Sequence, residues 1–443
     1  MIMVGVLAFI GSAHFGSAQI GTNENGVINT DTTWAKAGSP YNLIGNVTVS
    51  QGITLTLEAG ATVNLNNNYM TVNGALVAKG TSTDKIQING VSGTGPFMPP
   101  PAPNLYPFTY GINFTKLSVG YDPKTSSGSI IENAIINSTT LALESSPKLD
   151  NNVITGYITS NGTSIISNNV VAGEIDLTGP STVLNNQING SVQVQTNVIG
   201  GNIEDSSNPK GTPVISNNII TGSGINGVGI SFLTLSANNI TISGNTISGC
   251  SAQGIAAEGF GVIENNLITN NHDGIDIEGP NTVINNTIEN NYIGIQQVNN
   301  FDFPTVIYNN LQNNSYNLFL SHLVTSNVNA TYNYWGTTNQ TAISNTIYDN
   351  KDDSNLGTAN FVPYLTAPNE SASPSSSVPE YPAITTVIVM MAIVIAMIAQ
   401  KRKSSKTLSL GDAFVYSHIR VAFPMSALTS SNSHAKFLRS LNI

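Results

Sequence analysis

The sequence predicts an all-β fold, a right-handed parallel β-helix (solenoid), and two recurring patterns support this prediction. One pattern places aliphatic residues on both sides of an asparagine pair, as in residues 263–268 and again in residues 283–288. The other is a Gly-Ile step after each copy, at Gly274 and at Gly294. A repeat of about twenty residues, rich in β-branched side chains and interrupted by Asn and Gly, is typical of stacked strands. Crossovers between parallel strands favour a right-handed coil.

The central asparagines predict how the turns of the coil are aligned. Asn tolerates a left-handed backbone and bonds nearby backbone groups, which suits a corner between two short strands. Side chains stacked one per turn, roughly 4.8 Å apart, can also bond one another. The repeat predicts about thirteen turns, a rod roughly 60 Å long. The predicted column consists of Asn133, Asn152, Asn169, Asn186, Asn202, Asn218, Asn245, Asn266, Asn286, Asn309 and Asn333.

Composition and charge limit the function classes. Only 9% of residues are charged, the formal net charge is −10, and no arginine precedes Arg402. A nucleic-acid-binding face needs clustered Lys and Arg, so nucleic acid is excluded as a partner. The single cysteine, Cys250, allows no intramolecular disulfide.

The first part of the chain divides into an export signal and the coil. Residues 1–18 are apolar and end on small residues, which predicts a signal peptide. Residues 19–335 are predicted to form the β-helix with an N-terminal cap, in which Trp34 and Tyr41 cover the open end of the core. Residues 96–107 are Pro-rich and are predicted to be an inserted loop, because Pro lacks the donor that a ladder needs.

The C-terminal part predicts a membrane anchor. Residues 336–367 are expected to cap the coil, and residues 368–382 form a Ser/Pro-rich linker. Residues 383–400 are apolar and long enough for one transmembrane α-helix. The basic residues that follow place residues 401–443 in the cytoplasm as a tail. The β-helix would therefore lie outside the cell, held by a single membrane span.

The repeat pattern over residues 47–335 resembles the right-handed parallel β-helix superfamily, which includes pectate-lyase-like, NosD-type and mannuronan-epimerase-like proteins. The string at residues 333–336, Asn-Tyr-Trp-Gly, resembles the C-terminal cap of archaeal cell-surface β-helix proteins. The resemblance implies an archaeal-type surface protein and specifies no chemistry. The lyases of this superfamily use an arginine base, and the outer part of this chain has no arginine.

Three carboxylates form the candidate catalytic site. Strand alternation after the Gly-Ile steps sends Glu258, Asp276 and Glu278 outward. Glu258 and Glu278 would lie one turn apart, where like charges repel. The alternatives are full hydration, a raised pKa, or a bridging cation. A solvated acidic face explains the same residues without any function.

Two further sets of residues suggest metals. Asp349, Asp353 and Asn355 lie in an acidic loop that could bind calcium, which prefers several oxygen ligands, although a solvated cap loop has the same composition. Copper handling would need soft or imidazole ligands. The residues of that kind in the outer part are scattered: His272, His322, Met70, Met98 and Cys250.

The sequence favours a structural, adhesive or glycan-binding role at the cell surface, without catalysis, with glycans or surface proteins as partners. The alternative is a carbohydrate-active enzyme, a polysaccharide lyase or hydrolase, that uses the three carboxylates. The third reading is a NosD-type metal-handling module.

Overall fold

The computed structural model describes residues 21–90, 111–196, 212–222, 227–234, 240–300 and 304–374. The predicted signal peptide, Pro-rich insertion, transmembrane helix and cytoplasmic tail lie outside the described residues. Within the described ranges, no helix has the length and apolar character needed to span a bilayer.

Short strands dominate the chain. In the N-terminal part they are β1 (Thr22–Ile28), β2 (Thr32–Trp34), β3 (Tyr41–Val49), β4 (Thr54–Leu57), β5 (Thr62–Asn64), β6 (Tyr69–Val72), β7 (Ala75–Lys79), β8 (Ile86–Asn89), β9 (Gly111–Phe114), β10 (Ile130–Glu132) and β11 (Ala134–Leu143). In the middle they are β12 (Lys148–Asp150), β13 (Val153–Ser160), β14 (Ile165–Ser167), β15 (Val170–Leu177), β16 (Thr182–Leu184), β17 (Gln187–Thr196), β18 (Val214–Ser216), β19 (Ile219–Thr221) and β20 (Ile230–Thr234).

The C-terminal turns follow the same plan. Their strands are β21 (Ile240–Ser243), β22 (Thr246–Ser248), β23 (Gln253–Gly259), β24 (Gly261–Glu264), β25 (Leu267–Thr269), β26 (Asp273–Glu278), β27 (Thr282–Ile284), β28 (Thr287–Glu289), β29 (Ile293–Gln297), β30 (Thr305–Ile307), β31 (Asn310–Gln312), β32 (Tyr316–Leu320), β33 (Val328–Asn329), β34 (Ile347–Tyr348) and β35 (Ala359–Asn360). The helices are a 3₁₀ turn at Lys36–Gly38 and α1 at Gln340–Asn345.

The strands stack into three faces. Face 1 is a twelve-stranded parallel sheet that runs from β2 to β30, so the solenoid has about twelve turns. Faces 2 and 3 belong to a second, larger sheet. In β13, β15 and β17 one long strand covers both faces and bends at a glycine with positive φ, Gly156, Gly173 or Gly190. Later turns use a separate strand for each face, such as β25 on face 2 and β26 on face 3.

A buried asparagine ladder runs along the corner between faces 1 and 2, as the sequence predicts. Each Nδ2 donates to the Oδ1 of the next turn; for Asn245 and Asn266 this distance is 3.0 Å. Each Oδ1 also accepts the backbone N–H of the preceding ladder residue, at 2.8 Å for the same pair. The members are Asn152, Asn169, Asn186, Asn218, Asn245, Asn266, Asn286, Asn309 and Asn333, and none is more than 1% exposed.

One member of the predicted column, Asn133, does not belong to the ladder. Asn133 has a φ of 52° and turns the corner, while the N–H of Ala134 donates to Asn152 Oδ1 at 2.8 Å in the ladder position. Asn202 lies outside the described residues. The ladder continues from Asn186 to Asn218, because Asn186 Nδ2 donates to Asn218 Oδ1 at 3.0 Å. The solenoid has about twelve turns, one fewer than the repeat predicted.

The two asparagines of each pair have separate tasks. The first adopts a left-handed backbone, with a φ of 57° at Asn168, 56° at Asn185 and 57° at Asn265. The second points inward and forms the ladder. Asn is suited to both positions because it accepts positive φ and carries both a donor and an acceptor.

A second ladder, which the sequence analysis missed, occupies the corner between faces 2 and 3. Asn291 Nδ2 donates to Asn314 Oδ1 at 3.1 Å, and the N–H of Asn271 donates to Asn291 Oδ1 at 2.9 Å. This ladder explains the Gly-Ile steps. A Cβ on Gly274 would lie 2.4 Å from Gly294 O and 3.3 Å from Asn291 Nδ2. Glycine leaves room for the corner asparagine and for the strand of the next turn.

Aromatic side chains lie at both ends of the apolar core. Trp34, 2% exposed, stacks on Tyr41 with the ring centroids 4.8 Å apart. At the other end Trp335 is 2% exposed and lies edge-on to Phe361, with the centroids 6.2 Å apart. These rings close the core where stacking of further turns stops.

The chain after the cap lies along face 2. Asn310 Nδ2 donates to Asn369 O at 3.0 Å, and the N–H of Asn369 donates to Asn310 Oδ1 at 2.8 Å. Asn369 Nδ2 donates to Asn285 Oδ1 at 2.9 Å, and the Thr287 hydroxyl donates to Ala372 O. The described start of the segment predicted as a linker is thus held against the coil by hydrogen bonds.

Candidate functional site

The structure brings the three candidate carboxylates together on the outer side of face 3. Ile255 and Ile275 point into the core and are 0% exposed. Glu258 pairs with Glu278 in the register of β23 and β26, one turn apart. Asp276 lies in the same register between Ala256 and Gln296. The three side chains therefore form one acidic surface that spans two turns.

Asp276 differs from its neighbours because it is buried although it faces outward. It is 8% exposed, and its Oδ2 accepts a hydrogen bond from Gln253 Nε2 at 2.9 Å. Its Oδ1 is buried and has no hydrogen-bond partner among the described residues. Burial, and secondarily the charges of Asp273 and Glu278, raise the pKa of Asp276 to about 7. This carboxyl is therefore half-protonated near neutral pH.

The pKa values of two neighbouring carboxyls, Glu278 and Asp273, are also raised. Burial, and then the charge of Glu258, raise the pKa of Glu278. Burial also raises the pKa of Asp273, which is 8% exposed and bonds His272 Nδ1 through its Oδ1 at 2.9 Å. Glu278 and Asp273 therefore keep their protons to higher pH than free carboxyls would.

An aromatic cluster continues face 3 beyond the carboxylates. Tyr292 lies 6.0 Å from Tyr316 between ring centroids, and Tyr316 lies 5.6 Å from Phe319. Phe319 stacks on Tyr348 at 4.5 Å with an interplanar angle of 11°. Tyr292 is 50% exposed and the other three are partly exposed. We call these four residues the face 3 aromatic cluster.

Strand register joins the aromatic cluster to the acidic surface. Asp276 pairs with Gln296, Gln296 with Phe319, and Phe319 with Tyr348, one residue per turn. Asp276 is thus two turns, roughly 10 Å, from the Phe319 ring position. No local sequence pattern had singled out these aromatic residues. The signal was present in the turn alignment, where Tyr316 and Phe319 lie opposite Ile293 and Gln296.

A second, half-buried acid lies in the same column. Asp176 aligns through Gln193, Ser231 and Ala256 with Asp276, four turns away. Burial and the charge of Glu174 raise the pKa of Asp176 to about 6. The face 3 aromatic cluster lies in the later turns, whereas the aromatic residue nearest in register to Asp176 is Tyr157, which pairs with Glu174.

The predicted calcium residues lie in the C-terminal cap and engage one another and the backbone. Asp349 Oδ2 accepts the N–H of Ala359 at 2.9 Å, and Asp349 Oδ1 lies 3.3 Å from Lys351 Nζ. Asp353 Oδ1 accepts both the N–H and the Nδ2 of Asn355, at 3.0 Å and 2.9 Å. Among the residues with described positions, no three His, Cys, Asp or Glu side chains converge as metal ligands would.

Comparison with known proteins supports the superfamily resemblance. The profile of the family described as periplasmic copper-binding protein (NosD) matches residues 181–351. The chain is NosD-like over this stretch. No curated protein matches the chain significantly in sequence.

Two solved structures are similar in arrangement. The periplasmic alginate epimerase AlgG covers 77% of this chain and 74% of its own length, at 11% identity and a TM-score of 0.27. A point mutant of AlgG covers 77% of this chain and 76% of its own length, at 12% identity and a TM-score of 0.21. These TM-scores are too low to support an argument about the present chain.

The residues that could bind copper do not fit a copper site. Copper prefers thiolate, thioether and imidazole ligands. Cys250 is 3% exposed, and burial raises the pKa of its thiol to about 11. Met70 lies inside the N-terminal core, 1% exposed, while His272 bonds Asp273 on face 3. Within the described ranges these ligands do not converge.

Proposed function

We propose that this protein is an extracytoplasmic glycan-binding scaffold, a right-handed β-helix whose face 3 holds a polysaccharide. The observation that supports the proposal is the face 3 aromatic cluster, in register with the polar side chains of Gln296 and Asp276. Aromatic faces carry negative partial charge and attract the C–H edges of sugar rings. Amide and carboxyl groups beside them can orient the sugar hydroxyls.

The stacked turns suit a linear ligand. Equivalent positions recur roughly every 4.8 Å along the axis, so a chain laid along face 3 meets a repeated set of contacts. The two asparagine ladders and the tight corners make the platform rigid, which lowers the entropy lost on binding. A glycan chain is therefore a better match to this face than a compact small molecule.

The proposed location follows from the family match and the predicted segments. The NosD likeness indicates a periplasmic or extracellular module. The signal peptide at residues 1–18 and the transmembrane helix at residues 383–400 would place it on the outer side of a cell membrane. An adhesive or structural role at the surface is compatible with glycan binding, because a rigid rod presents its ligand-binding face at a fixed position.

A groove on face 1 is the competing surface among the described residues. Its volume is about 430 Å³, and its lining includes Ile53, Val77, Lys79 and Ser127. The lining contains no aromatic side chain and no carboxylate. Its hydroxyls and Lys79 can bond a sugar, but it offers no ring for stacking, so we favour face 3.

The decisive variants remove the exposed aromatic rings. We expect the Tyr292→Ala, Tyr316→Ala double variant to bind its polysaccharide about 5-fold to about 150-fold more weakly, since each stacking contact contributes about 0.5–1.5 kcal/mol. Affinity electrophoresis in gels containing soluble glucans, mannans or xylans, followed by calorimetry, measures the loss.

The chain contains a matched control. Tyr308 and Tyr332 are 40% and 46% exposed, and their ring centroids lie 5.9 Å apart at a different corner of the coil. The Tyr308→Ala, Tyr332→Ala variant should bind like wild type. Equal losses in both double variants, or no retardation of the wild type by any polysaccharide, would count against the proposal.

A carbohydrate-active enzyme, a lyase or hydrolase, is the second candidate, and the raised pKa of Asp276 favours it. An acid half-protonated near neutral pH beside the carboxyl of Glu278 is a suitable pair for general acid–base catalysis. Chain cleavage measured by new reducing ends or unsaturated sugars, and abolished by Glu278→Gln, would establish this candidate. Binding with no cleavage under the same conditions would exclude it.

A further inference from the structure

The charge of face 3 restricts the class of polysaccharide. Asp273, Asp276, Glu258 and Glu278 lie close together on two turns, and among the described residues the basic group beside them is the imidazole of His272. In the described ranges, the lysines that form ion pairs do so elsewhere, with Asp84, Asp150, Asp349 and Asp352. A polyuronate laid here would place like charges against one another, which disfavours binding. An uncharged chain meets no such repulsion.

Asp276 is the residue whose protonation a bound ligand would change most. It is already nine-tenths buried, with Oδ1 unsatisfied in its pocket. The groups that surround it are Gln253 on β23, Asp273, His272 and Glu278 in and before β26, and Gln296 on β29. Most of the charged groups around Asp276 are acidic, so they disfavour a negative charge on Asp276. A chain lying over Gln296 would remove the remaining water and disfavour the ionised form further.

We propose that face 3 selects uncharged polysaccharides and that Asp276 takes up a proton when the ligand covers it, so that binding weakens as the pH rises through neutrality. This inference rests on the proposed function and specifies its ligand class. The neutral carboxyl can be covered without a counter-charge, and its Oδ2 keeps the hydrogen bond from Gln253 Nε2. The ionised form would be buried under the ligand without a counter-charge, which is costly.

The coupling between ligand binding and protonation of Asp276 has a definite sign and size. The pKa of Asp276 in the free protein is about 7, and burial under a ligand moves it upward. Below that pKa the site is already protonated and binding is strongest. Above it, each pH unit lowers the affinity up to tenfold, so the dissociation constant should rise up to about 30-fold between about pH 5.5 and about pH 8.5.

The test is calorimetric titration of the full chain with neutral glucan, mannan and xylan oligosaccharides and with a polygalacturonate oligomer, at these two pH values. We expect binding of a neutral oligosaccharide, no binding of the uronate, and the pH dependence above. Asp276→Asn should bind the neutral ligand within about twofold of the wild-type affinity at low pH and should lose the pH dependence, because an amide cannot ionise. Asp176→Asn, the same change four turns away, should keep the pH dependence of the wild type.

Other outcomes separate this inference from the proposed function. Binding of the uronate as tightly as of the neutral chain, or a pH dependence that persists in Asp276→Asn, overturns the inference and leaves glycan binding intact. Because imidazoles can titrate in this range, His272→Gln is measured in parallel. If His272→Gln removes the pH dependence and Asp276→Asn does not, the proton belongs to His272 and the inference is wrong. If the wild type binds no glycan at either pH, the proposed function itself fails.

Discussion

Replacing Asn266 with alanine is expected to lower the free energy of unfolding by about 3–5 kcal/mol. Asn266 Nδ2 donates to Asn286 Oδ1 at 2.9 Å and to Ile242 O at 3.0 Å, while its Oδ1 accepts the N–H of Asn245 at 2.8 Å. All of these atoms belong to the buried ladder, where each unsatisfied group costs about 1–3 kcal/mol. Chemical denaturation followed by circular dichroism measures the change.

The adjacent asparagine is the matched control. Asn265 has the same side chain, but it is partly exposed and serves the corner through its φ of 57°. Glycine adopts that φ without strain, so Asn265→Gly should cost less than about 1 kcal/mol. If Asn266→Ala costs no more than Asn265→Gly, the ladder contributes little and the coil is held by its apolar core alone.

Replacing Asp276 with asparagine is expected to stabilise the protein at alkaline pH and to have little effect in acid. The folded-state pKa of about 7 lies above the ordinary value of 3.8, so the folded protein favours the protonated form. The stability linked to this proton is fully present below pH 3.8 and is lost as the pH rises through 7. At about 1.36 kcal/mol per pKa unit, the loss approaches about 4 kcal/mol at pH 8.

The asparagine variant avoids this loss because it cannot ionise. We expect it to exceed the wild type by about 2–4 kcal/mol in the free energy of unfolding near pH 8, with the difference vanishing near pH 4. Glu264→Gln, a carboxyl-to-amide change on face 1, controls for the general loss of one negative charge. Parallel pH profiles for the two variants would show that Asp276 is not specifically strained in the folded state.

The sequence predicted the coil because the asparagine pairs and Gly-Ile steps are local signals of its corners. The outward direction of Glu258 and Glu278 and the inward direction of Ile255 followed from alternation, and the structure shows the same register. The assignment was wrong at Asn133. The corner and ladder positions are consecutive in the sequence, and Asn133 is not followed by a second asparagine.

Other features depended on contacts that local patterns do not contain. The burial of Asp276 arises from side chains one turn away, Gln253 among them, so alternation gives its direction and not its exposure. The face 3 aromatic cluster forms because Tyr316, Phe319 and Tyr348 come from successive turns and the cap. Their sequence separation hides the contact until the turns are aligned.

Hydroxyl-radical footprinting of the full chain, read by mass spectrometry, most directly tests whether face 3 holds a glycan. Exposed aromatic side chains report their own accessibility, and this chain carries them on different corners of one coil. Bound polysaccharide should lower the oxidation of Tyr292 and Tyr316 and leave Tyr308 and Tyr332 unchanged. Protection confined to Tyr308 and Tyr332, or equal protection of all four, would contradict the proposal that face 3 is the binding surface.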